Sequence, residues 1–331
     1  MTTQVAPNPQ RIMQYAFGFV PSLAVASAIE LGLFGAIEQG HATLARLAQA
    51  CNCSERGLMP LLHTLVSLEL LQSDPEGWSL APDARLFLVP SSPAYLGGML
   101  THQTAQIARW TALPETIRQG RRQVEAVEGD QDNGKFFAGF VDSLFNLNFP
   151  AAQAVAAQLG EAQSALDIGC GSGVWSLALA LLHPQLKVIA VDRALVLDQV
   201  TRPFAQRMGC LDRYEMRAGN FRDVDFGSHD VVFLGHILHS EGESASRTLL
   251  QRCHRALNPG GRLVVAEMVA SEPRGAHLFP NLFDLNMLMW TEEGTVFTAS
   301  QLEEMCGQAG FTRCQWLSAP SPSPILVAQR D

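Results

Sequence analysis

In the C-terminal half of this chain, short apolar runs end in acidic side chains or in loops that carry histidine. Residues 165–173 read ALDIGCGSG, an apolar stretch that closes around Asp167 and opens into a turn with Gly169, Gly171 and Gly173. A helix-like segment, VWSLALALL, follows, and the next apolar run, KVIAVD, ends in Asp192, 23 residues after Gly169. A carboxylate at such a strand end can accept hydrogen bonds from both hydroxyls of a ribose. Farther on, HDVVFLG ends at Gly235 and leads into HILHSEGE with His236 and His239, while RLVVAEM carries Glu267. Histidine ordinarily titrates close to neutrality, which suits it to proton transfer. A carboxylate beside it can hold its tautomer and stabilise the imidazolium.

The glycine spacing narrows the ligand. It is G-x-G-x-G, without the third glycine of the dinucleotide pattern G-x-G-x-x-G, so a nicotinamide dehydrogenase is disfavoured and an adenosyl sulfonium, which brings no phosphate, is favoured. Asn220-Phe221, in RAGNF after the third strand, pairs an amide with an aromatic ring that could read the edge and face of adenine. His236-x-x-His239 would need more ligands to hold a metal; none recurs at a helpful spacing, so no metal is expected. Phe283, Met287, Met289 and Trp290 lie at helical spacing, which serves a core as readily as the wall of an apolar pocket. Were the acceptor a small acidic thioether, its carboxylate would need a cation, and Arg109 is one candidate.

These residues need a frame. With 331 residues the chain can build two domains with separate cores. After residue 164 apolar strands and helical stretches alternate: strands at 165–168, 187–191, 213–218, 229–234 and 262–268, with helices near 173–183, 194–208 and 243–257 and a turn at NPGG. This is the signature of a doubly wound, mainly parallel α/β sheet. A helix at 298–309 precedes two last strands, 312–318 and 323–329, whose short SAPSP link suits an antiparallel hairpin. Residues 120–135 are polar and turn-rich, a candidate surface loop.

The N-terminal part reads differently. Residues 9–40 are apolar around the whole helical circumference, which fits either a partner subunit or a central core helix. Thr43 is a plausible N-cap for TLARLAQAC, Ser54 opens a second helix striped by Leu58, Leu61, Leu62, Leu65 and Leu68, and Pro75–Trp78 turns a small wing. That is a winged-helix pattern, yet His41–Pro90 holds three Arg, no Lys and five Asp/Glu. Together with a whole-chain charge of −9, this is the wrong sign for nucleic acid or an anionic membrane. Seven cysteines without a CxxC pair fit reduced thiols, and Cys51-Asn52-Cys53 is too close for an ordinary zinc pair. No signal peptide and no run of about 18 apolar residues is read, so a cytoplasmic protein without membrane insertion is expected.

Taken together, LDIGCGSG, AVD, AGNF, the strand-end histidine, LLQRCHRALNPGG, VVAEMV and the final strand pair resemble the class I S-adenosylmethionine-dependent methyltransferases. More narrowly, residues 10–328 resemble the two-domain small-molecule O-methyltransferases, whose N-terminal winged-helix domain dimerises. The resemblance implies a seven-stranded Rossmann-like sheet, a dimerisation domain at 1–100 and a catalytic domain at 101–331, with 101–160 as bridging helices. It implies a homodimer with S-adenosylmethionine as methyl donor and a small-molecule acceptor. Asp167, Gly169 and Gly171 map to the methionine cradle and Asp192 to the ribose site, with Gly173, Arg193, Asn220, Phe221 and Gly235 completing the cofactor candidates. His239 maps to the general base, 14 residues before Cys253 as in the plant enzymes, and Glu267 to its orienting acid. Phe137, Phe140, Arg109, His236, Asn286, Met287 and Trp290 are the acceptor-site candidates. The plant-type His-Asp-Trp is His239-Ser240-Glu241 here, and the second orienting acid falls near Val296. The stretch NMLMWTEEGTVFT is similar to the bacterial branch, so S-methylation of a thioether acid and C-methylation stay open beside O-methylation. A winged-helix regulator is the remote alternative.

Overall fold

The computed structural model describes residues 8–123, 134–321 and 323–331; side chains are described outside 134–139. The chain divides into two units. One takes Met1–Ala108 with Asn133–Asn146, the other Arg109–Asp132 with Leu147–Asp331.

The first unit opens with α1 (Pro9–Ala16), α2 (Val20–Glu30) and α3 (Leu33–Glu38). The apolar run at 9–40 is therefore three helices and not one. Periodicity cannot show the breaks, which fall at the turn around Phe17–Phe19 and at Gly32, whose φ of 70° stops α2. By length and composition Pro9–Glu30 is apolar enough to cross a bilayer, contrary to the sequence count, although the turn interrupts it. Helices α4 (Leu44–Ala50) and α5 (Glu55–Ser67) follow, then the hairpin β1 (Leu71–Asp74) and β2 (Gly77–Leu80), α6 (Pro82–Phe87) and α7 (Gly97–Ala105). Ser54 caps α5 by accepting from Gly57 N–H at 3.1 Å, whereas Thr43 makes no side-chain cap bond at α4. Leu58, Leu62 and Leu65 are buried in a core with Phe34, Leu47 and Leu80, while Leu61 and Leu68 pack at its margin. Asp74 closes the wing by accepting from the N–H groups of Glu76 and Gly77.

A turn at Ile107–Ala112 leads to α8 (Leu113–Gln119) in the second unit, and α9 (Gly134–Leu159) belongs to the first unit up to Asn146 and to the second from Leu147. Most of the expected loop at 120–135 lies outside the described residues. The succession is β3 (Ser164–Ile168), α10 (Val174–Leu182), β4 (Lys187–Asp192), α11 (Ala194–Val196) running on to α12 (Arg202–Arg207), β5 (Tyr214–Ala218), β6 (His229–Gly235), α13 (Leu238–Ala256) and β7 (Leu257–Ala266). Then come β8 (Val269–Ala270), α14 (Leu278–Trp290), β9 (Phe297–Thr298), α15 (Ala299–Ala309), β10 (Arg313–Leu317) and β11 (Ile325–Gln329).

Seven strands form one sheet in the order β10-β11-β7-β6-β3-β4-β5. The five from β7 to β5 are parallel, and β10 and β11 are antiparallel, which gives the expected terminal hairpin. Strand order reverses beside β3, so the carboxyl ends of β3, β4 and β6 frame the crevice where open α/β sheets bind ligands. Parallel strands are buried on both faces. Accordingly Leu166, Ile168, Val232, Leu234, Leu263 and Val265 pack against α13 and α15, each such side chain contributing about 1.5–3 kcal/mol of burial. The NPGG segment does not precede β7 but bulges from it: Leu257 pairs with His229 and Arg262 with Val231.

Candidate active site

The loop after β3 is built for close approach. Gly169, Gly171 and Gly173 have φ of 60°, 52° and 72°, values that L side chains rarely adopt. A Cβ on Gly169 would strike the Ile237 side chain, whereas Gly171 faces open space. Asp192, at the end of β4, accepts from Gly171 N–H at 2.9 Å and from Arg193 N–H at 2.7 Å, which fixes the loop against the neighbouring strand. A carboxylate has about four lone-pair sites, so two bonds leave acceptor capacity for a ligand diol. Asn220 is exposed, and its side-chain oxygen accepts from Arg222 N–H at 2.9 Å. The amide NH2 of Asn220 has no intramolecular partner among the described residues. Arg222 in turn bonds Glu241 at 2.6 Å, tying the loop that holds half-buried Phe221 to the start of α13.

Asp167 points into the protein. It is buried, accepts from Ser176 Oγ at 2.5 Å, and Ser176 receives Tyr214 OH at 3.0 Å. Burial first, opposed by the Ser176 bonds and reinforced by the Asp192 charge, pushes its pKa up to about 7.

The histidine and the acid meet. His239 Nδ1 lies 2.6 Å from Glu267 Oε2, and Glu267 Oε1 accepts from Leu238 N–H at 2.6 Å. Both side chains are buried. Burial by itself would raise the Glu267 pKa, but His239, then His236 and the Leu238 N–H, outweigh it and hold the carboxyl below its ordinary value. An ionised Glu267 accepts only, so His239 Nδ1 is the donor in this contact. His236 sits beside them, ring centroids 6.1 Å apart, in a left-handed conformation (φ 60°). Burial, ahead of the opposing Glu267 charge and the added repulsion of His239, lowers its pKa to about 4, so it is neutral at physiological pH.

The backbone around His239 is gripped by the 291–296 turn. Thr295 N–H donates to His239 O at 2.8 Å, and Asp284 Oδ1 accepts from Thr295 Oγ1 and Val296 N–H at 2.9 and 2.8 Å. Gly242 breaks the first turn of α13 with φ 74° where the Glu293 backbone abuts it, and a Cβ there would lie 2.6 Å from Glu293 O. Phe283, one residue before Asp284, meets the His239 ring edge-on at 5.1 Å.

Comparison with known proteins decides what this cleft belongs to. An O-methyltransferase domain profile matches residues 110–312, and an O-methyltransferase dimerisation domain matches residues 13–90. The chain belongs to the S-adenosylmethionine-dependent O-methyltransferase family. It is 28% identical to the tetracenomycin polyketide synthesis 8-O-methyltransferase of Streptomyces glaucescens, covering 98% of this chain and 97% of that one. It is 29% identical to acetylserotonin O-methyltransferase of Bos taurus, covering 95% and 96%. The crystal structure of a candidate O-methyltransferase from Nostoc punctiforme superposes with a TM-score of 0.90 at 27% identity, covering 98% and 100%. The family acts on small molecules, and its dimerisation domain supports a homodimer.

The cleft of this methyltransferase fits the cofactor. Gly171 offers a cradle that any Cβ would narrow, Asp192 has unused acceptor sites and Asn220 an unused amide. Gly235 does not border open space: a Cβ there would run into the Trp175 ring, so its smallness serves packing. Gly173 caps α10, and the Arg193 side chain is exposed. Of the acceptor candidates, His236, Asn286 and Trp290 lie half-buried in the same unit as His239. Met287 is turned inward against Ala270 and Val296, as core. Phe140 stacks on His102 at 4.1 Å in the first unit, and the Phe137 side chain lies outside the described residues. His236, His239 and Glu267 do bring ligand atoms within 4.8 Å of one another, a convergence the sequence spacing did not show. Both Glu267 oxygens are already engaged, one with His239 Nδ1 and one with Leu238 N–H. Three contributors escaped the sequence reading: Ser176, Asp284 and Thr295. Each acts through a contact distant in the chain, without a local motif.

Proposed function

We propose that this methyltransferase moves a methyl group to a hydroxyl of a small molecule, with His239 as the general base and Glu267 as its orienting acid. The 2.6 Å contact between His239 Nδ1 and Glu267 carries the reading, because it leaves Nε2 as the free proton acceptor. When bound, S-adenosylmethionine supplies an electrophilic methyl on a sulfonium sulfur. Asp192 holds the ribose hydroxyls, the Gly169–Gly173 loop admits the methionine part, and Asn220 and Phe221 read adenine. Asp167 acts from beneath, keeping the loop in shape through Ser176. His239 takes the hydroxyl proton as the oxygen becomes nucleophilic, and ionised Glu267 stabilises the resulting imidazolium. Holding acceptor and donor in line supplies much of the rate.

The protein works as a cytoplasmic homodimer joined through residues 10–100, without nucleic acid and without insertion into a membrane. Ile12 and Tyr15 on α1 and Phe17 and Phe19 in the turn after it are 64%, 72%, 63% and 52% exposed, an apolar patch that a partner subunit would cover.

Labelled methyl transfer from S-adenosylmethionine into matched panels of phenolic acceptors and thioether acids tests the reading. Label in the phenols supports it; label only in the thioether acids, which need no base, overturns it.

A further inference from the structure

The face of α14 that reaches His239 continues to a cation. Phe283 touches the His239 ring, and Asn286 and Trp290 lie three and seven residues farther along. Seven residues return to nearly the same azimuth and advance about 10 Å along the axis, so these side chains share one edge of the helix. At its far end the Arg109 guanidinium carbon stands 5.7 Å from the centroid of the Trp290 ring. Arg109 is half-buried and has no carboxylate partner among the described residues. Its neighbours in the same segment are paired: Arg118 with Glu115 at 2.9 Å, and Arg122 with Glu292 at 2.5 Å. Glu292 is only two residues beyond Trp290, yet it serves Arg122 and leaves Arg109 uncommitted. An aromatic face holds a guanidinium in place without using its N–H donors. Those donors match a carboxylate in a planar fork.

We propose that Arg109 anchors an acidic group on the acceptor, and that the acceptor is a flat aromatic acid of two or three fused rings. The length follows from the frame: Trp290, which holds Arg109, and Phe283, which meets His239, are seven residues apart on α14, an axial rise of about 10 Å that the acceptor's acid and hydroxyl would span. The inference rests on His239 marking where the hydroxyl lies.

The probes are 6-hydroxy-2-naphthoate and 2-naphthol, which share the hydroxyl and differ in the acid. With the parent enzyme, kcat/KM should favour the hydroxynaphthoate by about tenfold or more. Arg109→Met should abolish that preference chiefly through KM, and Arg109→Lys should retain part of it. Calorimetry on the enzyme saturated with S-adenosylhomocysteine gives a readout free of turnover. It should show hydroxynaphthoate binding that weakens about tenfold in Arg109→Met, while S-adenosylhomocysteine affinity reports that the variant is folded. An unmoved acid-to-neutral ratio in Arg109→Met, or no hydroxynaphthoate binding by the parent at millimolar concentration, overturns the proposal. Failure of the base assignment would look different: His239→Ala would keep turnover on both probes whatever the ratio.

Discussion

Glu267 and His239 stand 28 positions apart in the chain and 2.6 Å apart in space, joined carboxylate to Nδ1 at the carboxyl ends of β7 and β6. The parallel pairing of these strands places Ala266 beside Gly235, so the residues that follow each strand are brought to one edge. Glu267→Gln should therefore keep the fold, since an amide oxygen can still accept from Leu238 N–H. It should lower turnover by about 10²-fold, because the imidazolium loses its counter-charge and the tautomer its restraint. Steady-state rates with cofactor affinity measured in parallel check this.

Asp192→Ala should weaken S-adenosylmethionine binding by about 1.5–3 kcal/mol, the scale for hydrogen bonds to a charged group. The substitution also releases the Gly171 and Arg193 N–H groups, so the loop should exchange amide hydrogen faster. Calorimetry that returns parental affinity would remove Asp192 from the ribose site.

Asp167 gives a pH signature. Its folded pKa of about 7 exceeds the ordinary 3.8, so between those values the folded chain binds a proton that the unfolded chain has released. The stabilisation from this group is complete below about pH 4 and is lost as the pH climbs to 7, by a few kcal/mol in total. Asp167→Asn removes the titration, so its melting temperature relative to the parent should rise across that interval and level off above it. Melting curves of both proteins from pH 4 to 8, without cofactor, measure the difference.

The homodimer should appear in light scattering as a particle of twice 36.0 kDa at micromolar concentration. Phe17→Glu combined with Phe19→Glu should shift it toward monomer, because both rings are more than half exposed in the single chain.

Much of the catalytic frame was legible in the sequence because buried parallel strands are short apolar runs that end abruptly. Asp192 and Gly235 close strands as expected, and Glu267 directly follows one. The Gly242 break explains why helical periodicity resumes at 243 although the first turn of α13 already carries His239. What stayed hidden depends on contacts between distant segments. Nothing near Asp284 signals that it holds Thr295 and Val296 and, through them, the His239 carbonyl. Val296, near which the resemblance to the plant-type enzymes would put a second orienting acid, is buried, and the turn that contains it supports His239 by backbone contact. The N-terminal helices failed for another reason. An all-round apolar run has no periodic phase, so its interruptions at 17–19 and Gly32 leave no mark.

The most direct test of the account is the turnover of His239→Ala on a hydroxyl acceptor, measured at saturating S-adenosylmethionine. The ring that is removed faces Phe283 and Glu267, so cofactor affinity should hold. The base assignment predicts a rate at least about 10²-fold below the parent. A variant that turns over near the parental rate would contradict it.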